Sequence, residues 1–460
     1  KVNKSLTIKS ENGSANCIVQ AAAYDVFHVT ADNVNISGFT IKGGYNGIYL
    51  DHAENCHIVN NNVSNLHRCG ICLLYSSNNT VSGNTVSGYS WGISLENSNN
   101  NVISGNAMVG DGVVILGDEL RHWNTHVIEN NTVNGKPLYY FKDRIGGKVP
   151  EDAGQVILAN CTRMLVENLD IRNTDIGIEI GFSSQNIIKN NKVDGGVYGI
   201  RGIYLVYSSN NTIIGNDVCH ISGGGIFLEH SSNNTITGNN VHDTGPGITL
   251  RYSSYNIIIG NNGNRCIYLA YSSNNTITGN NISVDAWGIR LEHSSNNLIT
   301  GNNISGCGRG IYLLYSSNNN TITSNNVNNN YYYNIYLYES NNNVIYLNNL
   351  INNARDVYSF KSTNIWNSTE KITYTYEGRT YTNYMGNYWS DYTGSDADGD
   401  GIGDAPYAIN GDADNYPLMQ PQENYFLPAP SPTPTPTPTP IPAQIFDTGR
   451  PENPYPSISG

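Results

Sequence analysis

Four aspartates crowd into nine residues late in the chain, Asp396-Ala-Asp398-Gly-Asp400-Gly401-Ile402-Gly403-Asp404. Aspartates at loop positions 1, 3, 5 and 9 put hard oxygen ligands on one concave backbone. Gly at position 6 permits the sharp turn, and the Ile402 carbonyl takes position 7, which is the pattern of a calcium loop. Carboxylates this close repel one another without a cation. Position 12 is Tyr407 and not Glu, so the bidentate ligand is expected from elsewhere, with Asp391, Asp412 or Asp414 as candidates. Calcium held by Asp396, Asp398, Asp400, Ile402 and Asp404 is the cofactor these residues indicate, pinning a cap and not catalysing.

The loop follows a long repeat. Gly-Ile-Tyr-Leu and then Tyr-Ser-Ser-Asn-Asn-Thr-Ile-Thr-Gly-Asn-Asn return every 22 to 25 residues, as at Ile203 to Asn216, Ile267 to Asn281 and Ile311 to Asn326. That period fits a stacked solenoid, either a leucine-rich horseshoe or a parallel β-helix. Each copy holds three apolar/polar alternations, for example Ile267-Tyr268-Leu269, Thr276-Ile277-Thr278 and Asn281-Ile282-Ser283, with no helical spacing. Three strands per turn make an all-β, right-handed parallel β-helix of about 14 coils, about 65 Å long if stacked as one rod. Ile267, Leu269, Ile277 and Ile282 point inward. The recurring Asn column, Asn61, Asn84, Asn106, Asn130, Asn168, Asn191 and onward to Asn348, falls at corners, where Asn tolerates left-handed backbone and its amide can bond the next coil.

Side chains on the outside of this solenoid are the remaining chemistry. One outward column reads Asp51, Glu96, Glu229, Arg251 and Glu292 among apolar residues; Glu229 and Glu292 lie three coils apart, ~14 Å, too far for paired acid/base work. No catalytic residue is assigned, and the chain is read as not an enzyme. A second column holds Tyr49, Tyr204, Phe227, Tyr268, Tyr312 and Tyr336, a partly aromatic face that can stack on sugar rings or on a partner, or simply pack across strands. The corner column His52, Tyr75, Tyr207, His230, Tyr252, Tyr271, His293 and Tyr315 reads as packing.

Only 13% of residues are charged, the net charge is −13, and no basic stripe exists, which excludes a nucleic-acid binder. Eight cysteines are scattered; Cys69-Gly-Ile-Cys72 has CxxC spacing but neither the His of a haem site nor a second pair for zinc. They read as small buried or locally bridged thiols, with Cys72, at an outward position, the one expected to be reactive or bridged. Fourteen Asn-x-Ser/Thr sequons include Asn78, Asn210, Asn233, Asn274 and Asn319 at corner turns, so an extracellular glycoprotein is expected. No stretch is long enough to span a membrane.

The expected organisation is a β-helix over 1–353, a cap with the calcium loop over 354–420, a Pro/Thr linker over 421–445, and the start of a further module or an assembly tail over 446–460. The step from Asn130 to Asn168 is too long for one coil, and Gly135 to Gly154 carries Pro and Gly breakers, so a loop or hairpin on the rod's flank is expected there.

Together the repeat, Gly386-Asn387-Tyr388-Trp389-Ser390-Asp391-Tyr392, the acidic loop and Asp414-Asn415-Tyr416-Pro417-Leu418-Met419 resemble archaeal cell-surface β-helix proteins of the NosD-like, carbohydrate-binding and sugar-hydrolase repeat family. The linker and Gly449-Arg450-Pro451-Glu452-Asn453-Pro454 resemble multidomain archaeal surface proteins. The resemblance implies an extracellular, glycosylated β-helix whose first coil is entered at Lys1. A structural, non-catalytic part of a surface layer, sheath or filament is therefore expected. Its partner is itself, head-to-tail or laterally, the C-terminal tail of one subunit clasping the open coil edge of the next. The alternative is an adhesion or carbohydrate-binding module taking surface glycans, with a polysaccharide lyase or hydrolase behind it.

Overall fold

A computed structural model describes residues 1–88, 91–196, 199–283, 286–352 and 357–426. The Pro/Thr repeat and the segment 446–460 lie outside the described residues. The chain is an all-β solenoid of about 15 turns.

Each coil has three short strands, as in Ile267–Ala270, Thr276–Thr278 and Asn281–Ser283. Coil strands pair in parallel and in register with their equivalents, so that Ile248, Ile267 and Ile289 align on the first face and Ile258, Ile277 and Ile299 on the second. Period-two alternation sends these isoleucines inward, where they are almost wholly buried. A strand of three or four residues cannot hold a register alone; stacking on its neighbours supplies it.

Buried polar side chains line the corners. The Asn280 amide nitrogen and its Nδ2 both donate to Asn302 Oδ1, at 3.0 and 2.9 Å, and Asn302 repeats this with Asn325. A second amide ladder runs from Asn186 through Asn211 and Asn234 to Asn343 and Asn364, and a Ser ladder runs from Ser183 through Ser208 to Ser317. These corner amides also donate to main-chain carbonyls, so their bonding capacity is met inside the protein. The ladder corrects the sequence alignment at two rungs. Asn131 follows Asn106, and Leu169 precedes Asn191, because Asn130 and Asn168 take the left-handed corner position that Gly fills elsewhere.

The expected single rod with a flank loop at 135–154 is wrong. Thr132–Val133 turns antiparallel onto Lys136–Lys142, and Lys136–Lys142 with Ile145–Lys148 are the first strands of a second solenoid, paired in parallel with Gln155–Ala159 and Thr162–Glu167. Two cores result, one from Phe27 to Val133 and one from Val149 to Trp389. The outer face of the second solenoid closes the end of the first: Ile157, Ala159, Ile176, Tyr204 and Val206 join the first core. The edge amides of Val113–Leu116 find side chains there and not another coil. Val113 N donates to Gln155 Oε1 at 2.9 Å, Ile115 N to the Glu179 carboxyl at 3.3 Å, and Gly92 N and Gly112 N to Asp175 Oδ2 at 3.0 Å. Trp123, from a short helix at Arg121–Asn124, lies so close to Gly181 that a Cβ there would collide with its ring.

At the far end, Trp366 and Trp389 plug the second core. The amide ladders end on carboxylates of the hairpin Tyr407–Ile409/Asp412–Asp414. Asn364 N donates to Asp412 Oδ2 at 3.1 Å, and Asn387 N to Asp414 Oδ2 at 2.7 Å. Asp414 also accepts from Trp389 Nε1 and Tyr416 N. Both aspartates are thereby removed from the expected calcium ligands. The cap runs past 420, since Tyr425 is fully buried and stacks on Tyr376.

His126 replaces Asn on one rung, accepting from Asn101 N at Nδ1 (3.2 Å) and bonding the His122 carbonyl through Nε2 (2.9 Å). That requires a neutral ring, and burial pushes its pKa down to about 4. The unfolded chain therefore binds the extra proton between about pH 6.5 and 4, and stability falls as pH drops through that window, by up to about 3 kcal/mol. His126→Asn restores the ordinary rung and should flatten the acid limb of a thermal-unfolding profile; an unchanged limb would show that His126 does not set it.

Candidate functional site

The first-face outward column brings the expected aromatic residues together, but mostly against each other and against arginines. Tyr204 is only 2% exposed. The Arg201 guanidinium lies 4.0 Å from its ring centroid and 4.6 Å from that of Phe227. Arg290 lies 4.9 Å from Tyr268 and 4.6 Å from Trp287, and Arg309 lies 5.0 Å from both Tyr312 and Tyr336. Tyr204 and Tyr268 donate their hydroxyls to Glu229 and Glu292, each at 2.8 Å. Tyr49 packs on His28, with ring centroids 5.1 Å apart. Of the uses open to this column, cross-strand packing is the one these contacts form, a laminate of aromatic rings and guanidinium groups strengthened by cation–π attraction. Arg201 and Arg309 sit two residues before the inward Ile, in Arg201-Gly-Ile and Arg309-Gly-Ile, where Trp91 and Trp287 stand in other coils, whereas Arg290 lies in the outward column itself, between Tyr268 and Tyr312.

The corner rings are packing, as expected. Phe182, Tyr207, His230, Tyr252, Tyr271, His293 and Tyr315 stack at 4.8–5.7 Å, matching the coil spacing, so each ring face is covered by the next. Glu229 and Arg251 approach to 3.7 Å across one coil step, a partly exposed pair of small net value.

Chain reversal creates a site that linear stacking could not. A cleft of about 290 Å³ opens where the first solenoid meets the second, lined by Glu96 and Asp118 from one side and by Tyr204, Glu229 and His230 from the other. Three carboxylates thus converge on one hollow, against the expectation that no carboxylate cluster survives. Beneath it the joint is acidic and buried. Burial raises the Glu179 carboxyl to about 8 and Asp111 to about 7, and burial, with the charge of Asp111 next, raises Asp175 well above the carboxylate range.

The acidic loop forms as expected in part. One carboxylate oxygen from each of Asp396, Asp398 and Asp400 lies within 4.8 Å of the others. Asp396 accepts from Gly399, Asp400 and Gly401 amides, which fixes the turn. Asp404 instead accepts from Ser395 Oγ and Ala397 N, and Asp391 from the Tyr407 hydroxyl. Cap tyrosines grip the same loop: Tyr374 bonds the Asp400 carbonyl, Tyr381 the Gly399 carbonyl and Tyr425 the Gly401 carbonyl.

None of the eight cysteines forms a disulfide. Cys72 is fully buried and unbridged, so its expected reactivity fails for want of access. Asn78, Asn210, Asn233, Asn274 and Asn319 are exposed, in left-handed backbone, each one residue before a buried ladder Asn.

These features define a parallel β-helix repeat protein, and no described helix is long and apolar enough to cross a membrane. The chain belongs to the family described as periplasmic copper-binding protein (NosD), which matches residues 2–140, 142–266 and 261–394. It is 47% identical over 64 residues to a cell surface glycoprotein of Methanothermus fervidus; the match covers 14% of this chain and 11% of that protein. It is therefore a cell-surface β-helix repeat protein, and it spans about a tenth of the length of that curated relative. Similar solved structures include the Dettilon tailspike protein (TM-score 0.28, 17% identity, covering 68% of this chain and 59% of that one). The A-module of mannuronan C-5 epimerase from Azotobacter vinelandii (TM-score 0.32, 14% identity, 66% and 90%) and DFA-IIIase from Arthrobacter chlorophenolicus (0.33, 12%, 63% and 67%) are others. These likenesses carry no information on activity.

The family description names copper. The acidic loop offers oxygens alone and suits a hard cation, whereas Cys219 with His220 offers the sulfur and nitrogen donors that copper favours.

Because the folded Glu179 carboxyl holds its proton up to about 8 while the unfolded one releases it near 4.3, stability declines as pH rises through that interval. Glu179→Gln keeps the acceptor for Ile115 N without the titration. Its melting temperature should match the parent near pH 4.5 and exceed it by several degrees near pH 8; equal melting at both would show the carboxyl is not strained by burial.

Proposed function

We propose that the protein is a structural, non-catalytic element of a cell-surface layer or filament, self-associating into a larger assembly. The observation that supports this most is the self-engagement of its outer face: the Tyr, Arg and Glu side chains that could handle a ligand are paired with the neighbouring coil, as in Arg201–Tyr204–Glu229. Such a surface stiffens a rod and turns nothing over. Exposed Asn78, Asn210, Asn233, Asn274 and Asn319 are attachment points for N-linked glycans at the corners.

Calcium at Asp396, Asp398 and Asp400 pins the cap in this reading. Asp398 sits above its ordinary pKa: a bond from the Asp400 amide opposes the shift, and the Asp400 and Asp396 carboxylates outweigh it. A divalent ion relieves that repulsion and ties the loop to Tyr374, Tyr381 and Tyr425. At a hundredfold excess over Kd it adds about 3 kcal/mol. Asp396→Asn/Asp398→Asn should lose the calcium-dependent rise in melting temperature. Electron micrographs of the parent should show filaments or sheets with calcium that loosen on chelation. A monodisperse monomer in both conditions sinks the assembly role, and equal calcium stabilisation of parent and variant sinks the metal.

A second reading rests on the cleft. Glu96, Asp118 and Glu229 around a hollow walled by Tyr204 and His230 suit hydroxyl-rich glycan ends. Glu229→Gln should then weaken glycan-array binding about tenfold with an unchanged melting curve; an array with no signal from the parent removes this reading.

A further inference from the structure

The repeat serves as its own control for residues that do not belong to it. On the third face the last outward residue of the strand is Ser64, Ser87, Ser283, Ser305 and Asn328 in five coils, and Lys42, Val109, Arg172 and Ile351 in four others. In three successive coils that position becomes Asp194, Cys219 and His242, stacked directly on one another as strand partners. The next corner residue, Gly306 or Asn329 in ordinary coils, becomes His220 and Asp243 in this stretch. Five residues that can donate a lone pair or carry a titratable proton thus gather within three coils of a chain that is only 13% charged.

We propose that Asp194, Cys219 and His220 form a binding site for a transition-metal ion that accepts thiolate and imidazole, Zn²⁺ or Cu⁺, with His242 as the fourth donor. One ligand atom from each of the first three lies within 4.8 Å of the others. Bonds of 2.0 to 2.3 Å to a tetrahedral ion place ligand atoms roughly 3.5 Å apart, so small side-chain rotations close the set. His220 Nδ1 rests 3.0 Å from Asp194 Oδ1, and the His242 ring centroid is 6.5 Å from that of His220. His242 Nδ1 lies 2.9 Å from Asp243 and Nε2 3.3 Å from Asp217, so one nitrogen leaves its carboxylate to reach the ion while the other keeps the partner that orients the imidazole. The Cys219 sulfur is buried beneath these groups while His220 is half exposed, so an ion enters from the histidine side.

A nucleophilic thiol is the competing use of a Cys–His–Asp group, and the surroundings disfavour it. A nucleophile needs cationic neighbours that lower its pKa. Cys219 has the opposite: burial, then the charges of Asp194 and Asp217, push it up to about 11, with Lys192 opposing. An incoming cation reverses that balance, displacing the thiol proton to solvent as the metal–sulfur bond forms.

Reduced, metal-stripped full chain titrated with Co²⁺ should develop a thiolate-to-cobalt charge-transfer absorption that Zn²⁺ abolishes by competition. A parallel anaerobic titration with Cu⁺ distinguishes the two ions, and tight binding of either supports the site. Cys219→Ser should lose the absorption, and His220→Gln should weaken binding by about tenfold or more. Cys69→Ser/Cys72→Ser, which removes the buried CxxC pair, should leave it intact. Circular dichroism confirms the fold of each variant. Absence of the absorption together with absence of Cu⁺ binding in the parent, or equal binding by Cys219→Ser and His220→Gln, overturns the proposal.

Discussion

A side-chain amide that accepts from one coil and donates to the next holds this molecule in register. The stacked isoleucines supply burial, but burial is non-directional and would tolerate a slipped coil. The ladder does not: Asn280, Asn302, Asn325 and Asn348 each need the next carbonyl oxygen at the same corner, and a one-residue slip would strand a buried amide. Since every rung donates toward the C-terminal end, the ladders are polarised along the axis, and bonds in such chains reinforce one another. A polarised chain must end on a strong acceptor. Asp412 and Asp414 are that acceptor, which explains why a β-helix cap carries two aspartates in a hairpin beneath two tryptophans.

The same logic shows what the sequence could and could not disclose. Period, strand count, inward residues and the structural Asn column are local facts repeated many times, so averaging over copies made them legible. The reversal at Thr132–Lys136 happens once. Its only trace was an over-long step between Asn130 and Asn168, which reads equally as an insertion, since nothing local distinguishes a flank loop from the first strands of a new solenoid. The residues that complete it, Gln155, Asp175 and Glu179, are legible only after their partners on Val113–Leu116 and Gly92 are known. Outward-pointing polar residues normally meet water; here they meet another solenoid.

For the candidate sites the division is similar. The acidic loop was legible in sequence because its ligands are consecutive, although Asp412 and Asp414 proved to serve the ladders and Asp404 the turn. The Tyr and Phe column was legible, but which of its uses it serves was not, because Arg201 and Arg309, which cover it along with Arg290, come from a different position of the repeat. The junction cleft could not be anticipated: Glu96 and Glu229 are far apart in sequence and meet only through the reversal. Cys219 and His220 were hidden by being judged singly and not against the residues that the other coils place there.

The junction also differs in kind from the rest of the molecule. Everywhere else, neighbouring coils are tied by continuous backbone pairing on three sides plus the ladders. At Val113–Leu116 the tie is made by side chains, two of them carboxyls whose pKa burial raises, and by a two-residue hairpin. A pull between its two ends would bear on this one section, where side chains and a short hairpin stand in place of the backbone pairing that joins coil to coil elsewhere.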